Sequence, residues 1–158
     1  MDRDAFLAQM RERIRELRAP EEQRRARAAA RSERIAEIRA IIEPYADALT
    51  ADGMTNALVT TGTPSEKLTW TLALDDGTQL VLTVADHPKQ ERLGISFTHT
   101  AHSGIYLDLS FLGKREPADK VEKDVTRVHL DERWSAQDFE QIVQDMVTAY
   151  VDEASQRG

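Results

Sequence analysis

Two groups of side chains in this sequence have the types and spacing to do chemistry. The first is built on histidine. His99 and His102 flank a polar turn and Asp108 lies on the strand after it, so two imidazoles and a carboxylate offer nitrogen and oxygen ligands or an acid-base set. Their spacing matches no zinc pattern, and no metal or cofactor is expected. Tyr106 falls in the outward-facing series of the same strand, which makes His99, His102, Tyr106 and Asp108 a candidate ligand patch on a solvated sheet face. His87, before Pro88, and His129, beside Asp131 and Glu132, read as surface residues. The chain has no cysteine and therefore no thiol nucleophile or thiolate ligand. It also has no G-x-S-x-G, H-E-x-x-H, P-loop or G-x-G-x-x-G motif. Asp75 and Asp76 stand before Gly77, where turn formation accounts for them.

The second group is arginine. Arg24, Arg27, Arg31 and Arg34 fall within about 80° of one helix face, and the five-donor guanidinium fork suits carboxylate and phosphate alike. By helical angle the same sector continues into Ile35, Ile38, Ile42, Tyr45 and Leu49, whose 3,4,3,4 spacing is heptad-like over about two heptads. One helix face thus begins as arginine and ends as core. Its N-terminal half must project past the hydrophobic body or lie against an acidic surface. Asp138, Glu140, Asp145, Asp152 and Glu153 of the C-terminal helix are candidate counter-charges, within the molecule or in a homodimer. The bland alternative is a solvated helix laced by pairs such as Glu21 with Arg25.

Charge is divided along the chain. Residues 1–45 hold 11 Arg against 9 Asp plus Glu, a net of +2, and residues 46–158 hold 10 basic against 19 acidic residues, a net of -9. The acidic body discourages broad contact with nucleic acid, which requires phosphates to be neutralised by Lys and Arg. The first thirty residues carry charges throughout, with no apolar run like a secretory signal, and no segment approaches the roughly 20 apolar residues of a membrane span. A cytoplasmic location without membrane contact is expected.

The elements that must position these groups follow from periodicity. Phe6, Leu7, Met10, Ile14 and Leu17 share a face of about 100°, predicting a first helix over 4–18, which Pro20 should interrupt. A second helix follows from 21 to 49, with a kink or break near Ile42 imposed by Pro44. The period then changes to two. Strands are predicted near 56–61, over 68–74 and 80–84 around the Asp76-Gly77 turn, over 93–98, over 106–111 beyond a loop that starts at His99, and over 125–130. Gly113 to Lys123, with Pro117, reads as a loop. Trp134 staples onto a helix capped by Ser135, along which Phe139, Ile142, Val143, Met146, Val147, Tyr150 and Val151 form the apolar stripe.

The expected fold is α+β in two layers: an antiparallel meander of five or six strands with one face covered by helices from both chain ends. As a single domain of residues 1–158, it comprises a helical hairpin or arm over 1–49, the sheet over 52–130 and a helix over 135–154. These features favour a non-enzymatic protein-interaction factor, such as an adaptor, chaperone-like protein or inhibitor, working through the Arg24, Arg27, Arg31 and Arg34 arm. A nucleic-acid-associated regulator using the same stripe is the rival reading. A small metal- or histidine-dependent enzyme comes third.

Overall fold

The computed structural model describes residues 2–63 and 65–100, the backbone of Val125–His129, and residues 134–156 with the backbone of Arg157. His102, Tyr106 and Asp108, the strand expected over 106–111 and the loop containing Pro117 lie outside the described residues. The elements run α1 (Arg3–Ala51), β1 (Asn56–Thr61), β2 (Lys67–Ala73), β3 (Gln79–His87), β4 (Arg92–His99), β5 (Val125–His129) and α2 (Ala136–Arg157). This is an α+β fold in which each strand pairs antiparallel with its sequence neighbour, in the order β1-β2-β3-β4-β5. The two helices flank the antiparallel β1–β4 portion of this sheet. The backbone of β5 extends the ladder along β4.

Alternation dictates the buried face. Leu68, Trp70 and Leu72 of β2, Leu80, Leu82 and Val84 of β3, and Leu93, Ile95 and Phe97 of β4 are all buried. The register sets Trp70 opposite Leu82 and Leu82 opposite Phe97, which makes one continuous apolar row across three strands. Ile35, Ile38, Ile42 and Leu49 of α1 join this core, with Phe139, Ile142, Val143, Met146 and Tyr150 of α2. Each such side chain contributes about 1.5–3 kcal/mol on burial.

The local stops are legible in the chemistry. Helix α1 ends in a Schellman arrangement: Gly53 has φ +79, its N–H donates to the Thr50 carbonyl at 3.1 Å, and Met54 N–H donates to the Leu49 carbonyl at 2.8 Å. Gly77, at φ +89, closes the β2–β3 hairpin, and Asp76 accepts from the Thr78 N–H at 3.0 Å. At the start of α2, Ser135 Oγ accepts from the Asp138 N–H at 3.1 Å, the expected cap.

The helical hairpin is corrected. Helix α1 is one element of 49 residues, about 74 Å long, and both Pro20 and Pro44 lie inside it. Each proline removes one intrahelical hydrogen bond. Around Pro20, however, the sequence Leu17-Arg18-Ala19-Pro20-Glu21-Glu22 offers strong helix formers and no Gly, Asn or Ser with which to reverse direction. The helix therefore continues, and the first apolar stripe is not folded back on the second. Strand β3 also runs further than its apolar alternation indicated, to His87, so Asp86 sits on a strand and not in a loop.

Candidate functional site

Nearly every residue of α1 before Arg31 is exposed, and the stretch ahead of Arg24, the first residue to meet the body, projects roughly 30 Å as an arm. Its apolar stripe is left in water. Phe6 is 50% exposed, Leu7 42%, Ile14 42% and Leu17 79%, with Met10 half-buried among them. By contrast, Ile35, Ile38 and Ile42 further along the same helix are at most 1% exposed. A row of large apolar side chains on a charged, isolated helix raises the free energy of the free state and is relieved by a partner that covers it.

Between these two stretches the predicted arginines meet the β3–β4 hairpin. Arg31 Nε donates to Asp86 Oδ1 at 2.6 Å, with both side chains largely buried at 11% and 17% exposure. Its Nη1 is sealed from water and has no hydrogen-bond acceptor. Arg27 Nη2 donates to Glu91 Oε1 at 3.1 Å, and Arg24 Nε lies 4.0 Å from the same oxygen. The hydrogen bond from Arg27, more than any other contribution, holds the Glu91 carboxyl below its ordinary value of 4.5; partial desolvation opposes it, and the charges of Arg27, Arg24 and Arg31 reinforce it. Glu91 also has φ +53, a left-handed backbone at the end of the Pro88–Glu91 loop, where Gly or Asn is the usual occupant. Arg34 completes the row: its guanidinium stacks 4.1 Å from the Trp134 ring centroid and donates to Glu37 at 3.0 Å.

Arginine therefore meets carboxylate, as the charge division indicated, but the main partners differ from those expected. Asp86 and Glu91 of the hairpin hold the stripe, in place of the acidic face of α2. Glu21 with Arg25, at 3.4 Å, is paired along the helix as the bland reading had it. The hydrogen-bonded part of the α1–α2 contact is neutral on the α1 side: the Tyr45 hydroxyl donates to Glu140 at 2.8 Å and accepts from Gln144 at 2.9 Å.

His99 is relocated. It ends β4 in phase with Leu93, Ile95 and Phe97, so it belongs to the inner face and is 5% exposed. Its Nε2 lies 2.9 Å from Glu153 Oε2 of α2, a carboxylate that is 6% exposed. The strand simply runs one residue beyond the last apolar position, which alternation in apolar residues cannot signal. Among the described residues no group of three or more His, Asp or Glu is placed to hold a metal ion. No described helix is long and apolar enough to cross a membrane.

Two polar anchors went unread in the sequence. Asn56 Nδ2 donates to the carbonyls of Ala46 and Met54 and to Thr50 Oγ1, while its Oδ1 accepts from Trp70 Nε1 at 3.3 Å; one amide thereby ties α1, β1 and β2 together. The single proton of the Tyr150 hydroxyl is shared between the carbonyls of Ala73 at 2.7 Å and Thr55 at 3.1 Å, in a cleft of about 450 Å³ that Asp75 and Asp76 also line. Burial, and then the charge of Asp75, pushes this phenol above its usual range. Both residues hold elements together. Trp134, the expected staple, lies against Phe139 with ring centroids 6.4 Å apart.

The arm thus combines an uncovered apolar row with arginines, and the body anchors its base. Compared with known proteins, the chain matches no family model, no curated protein and no solved structure.

Proposed function

We propose that this chain is a cytoplasmic, non-enzymatic interaction factor, adaptor-like or inhibitory, that works by docking a protein partner on the N-terminal arm of α1. The observation that carries this reading is the exposed row Phe6, Leu7, Met10, Ile14 and Leu17 on a helix whose own fold leaves it uncovered. Arg24, Arg27 and Arg31 have a different part in it. Their engagement with Glu91 and Asp86 fixes the direction of the arm, and a helix already rigid before docking loses less conformational entropy on binding.

Affinity capture from the native cell, with the full chain and with the Ile14→Asp/Leu17→Asp variant, tests this proposal. The expected result is at least one protein retained by the parent chain and lost from the variant, with the thermal melt of the body unchanged. Identical captured sets would overturn the reading. Binding to single- or double-stranded nucleic acid that survives the double substitution, and weakens steeply with salt, would establish the nucleic-acid alternative in its place.

A further inference from the structure

The unbroken course of α1 puts its entire length in one heptad frame, and that frame specifies the partner's charge. With Leu7 and Ile14 at a and Met10 and Leu17 at d, the buried Ile35, Ile42 and Leu49 also fall at a and Ile38 and Tyr45 at d. Phase is kept across Pro20 and across the arginines. What changes is the flanks. On the arm the charged residues at e are Asp4 and then Arg11, Arg18 and Arg25, and those at g are Arg13 and Arg27, while Glu12, Glu16 and Glu22 occupy outer positions. The apolar seam is therefore lined on both sides by arginine.

This pattern argues against a second copy of the chain. Parallel self-pairing brings Arg13 of one helix against Arg18 of the other. An antiparallel pair that seats Leu7 on Leu17 and Met10 on Ile14 sets Arg11 against Arg11 and Arg13 against Arg13, offset only by Asp4 with Arg18. Among the described residues Arg11, Arg13 and Arg18 make no ion pair. Further along, this helix shows what its flank takes when it is satisfied: Arg27, at g, is held by the Glu91 carboxylate.

Resting on the arm as the contact site, we infer that the arm's partner is an amphipathic helix of another protein with apolar a and d positions and Asp or Glu at e and g. The two helices form a short heteromeric coiled coil. Beyond Phe6 at g, the seam has two apolar residues per heptad, narrower than the face a lipid surface takes, which favours a helix.

The test titrates the full chain with synthetic peptides of about three heptads, all with Leu at a and d and carrying Glu, Gln or Lys at e and g. The Glu peptide is expected to bind about tenfold more tightly than the Gln peptide, the sum of a few surface ion pairs, and the Lys peptide not at all. That preference should shrink in about 1 M salt. Arg11→Glu/Arg13→Glu/Arg18→Glu should invert the order, while the melt of the body, which these side chains do not touch, reports that the variant is folded. Equal binding of the Glu and Gln peptides would overturn the acidic partner and leave the arm as the contact site. Failure of all three peptides would overturn both. Sedimentation showing a dimer that Ile14→Asp dissolves, or binding to phosphatidylcholine vesicles containing phosphatidylserine in preference to every peptide, would assign the seam to a second copy or to a membrane and sink the inference.

Discussion

Within α1, two stretches of the same heptad register meet opposite surroundings. From Ile35 to Leu49 the stripe lies under the sheet beside α2, where Ile38 and Ile42 have no exposure. From Phe6 to Leu17 an equally apolar stripe stands in water, with Leu17 at 79%. Side-chain type does not distinguish them; what does is whether the chain supplies a second surface. In the proximal stretch burial is part of folding. In the distal stretch the same hydrophobic free energy is withheld until a partner arrives.

The largest expected effect separates the two stretches directly. Ile38→Ala should destabilise the protein by about 2–5 kcal/mol, because it removes a fully buried branched side chain and leaves a cavity in the core cluster. Ile14→Ala, the same substitution on the same helix, should change stability by less than about 0.5 kcal/mol. Urea unfolding followed by far-ultraviolet circular dichroism measures both. Comparable losses at the two sites would mean that the arm is covered by its own body, and the comparison would collapse.

Second in size is the pair that seals the far side of the core. Glu153→Ala removes the carboxylate 2.9 Å from the buried His99 Nε2 and should cost up to about 3 kcal/mol, whereas Glu16→Ala on the arm should be close to neutral. His99 also shows where the sequence was readable and where it was not. The inner residues of β2, β3 and β4, the Gly77 turn, the Ser135 cap and the α2 stripe were all evident, because alternation, turn chemistry and helical spacing are local signals. The place of His99 is not such a signal, because apolar alternation ends at Phe97 and the carboxylate partner is 54 positions away in the chain. The arginine stripe was seen correctly as a row. Its partners were not, because Asp86 became reachable only through a strand longer than its apolar run and Glu91 through an unusual left-handed loop residue. Pro20 is the opposite case: its intrinsic penalty predicts a break, but the neighbouring residues are helix formers and the helix runs through it.

A smaller effect is expected where the two stretches join. Arg31→Ala should cost about 2 kcal/mol, since Asp86 at 17% exposure loses a charge-assisted hydrogen bond in a partly dry site. Arg25→Ala, whose Glu21 partner is 63% exposed, should be close to silent. Chemical denaturation in low and high salt checks this contrast. Salt should shave little from the Arg31 effect because its charges are shielded by protein.

The least effect, and the most informative about the arm's direction, is that of Glu91. Its carboxyl is held below 4.5 by Arg27, with Arg24 and Arg31 behind, so its contribution is present above the ordinary carboxylate value and is lost as pH falls through the lower folded value. Glu91→Gln should therefore lower the melting temperature slightly at neutral pH, and the two melting curves should converge well below pH 4.5. Glu91→Gly loses the same ion pairs but relieves the φ +53 backbone, so it should melt above the glutamine variant at every pH. A fluorophore pair placed at an exposed arm position and on the exposed face of α2 would report the second consequence: a broader distance distribution in both variants at neutral pH, and in the parent chain only in acid. If the distribution stays narrow without the Glu91 carboxylate, the hairpin does not aim the arm, and Asp86 with Arg31 is sufficient to hold it.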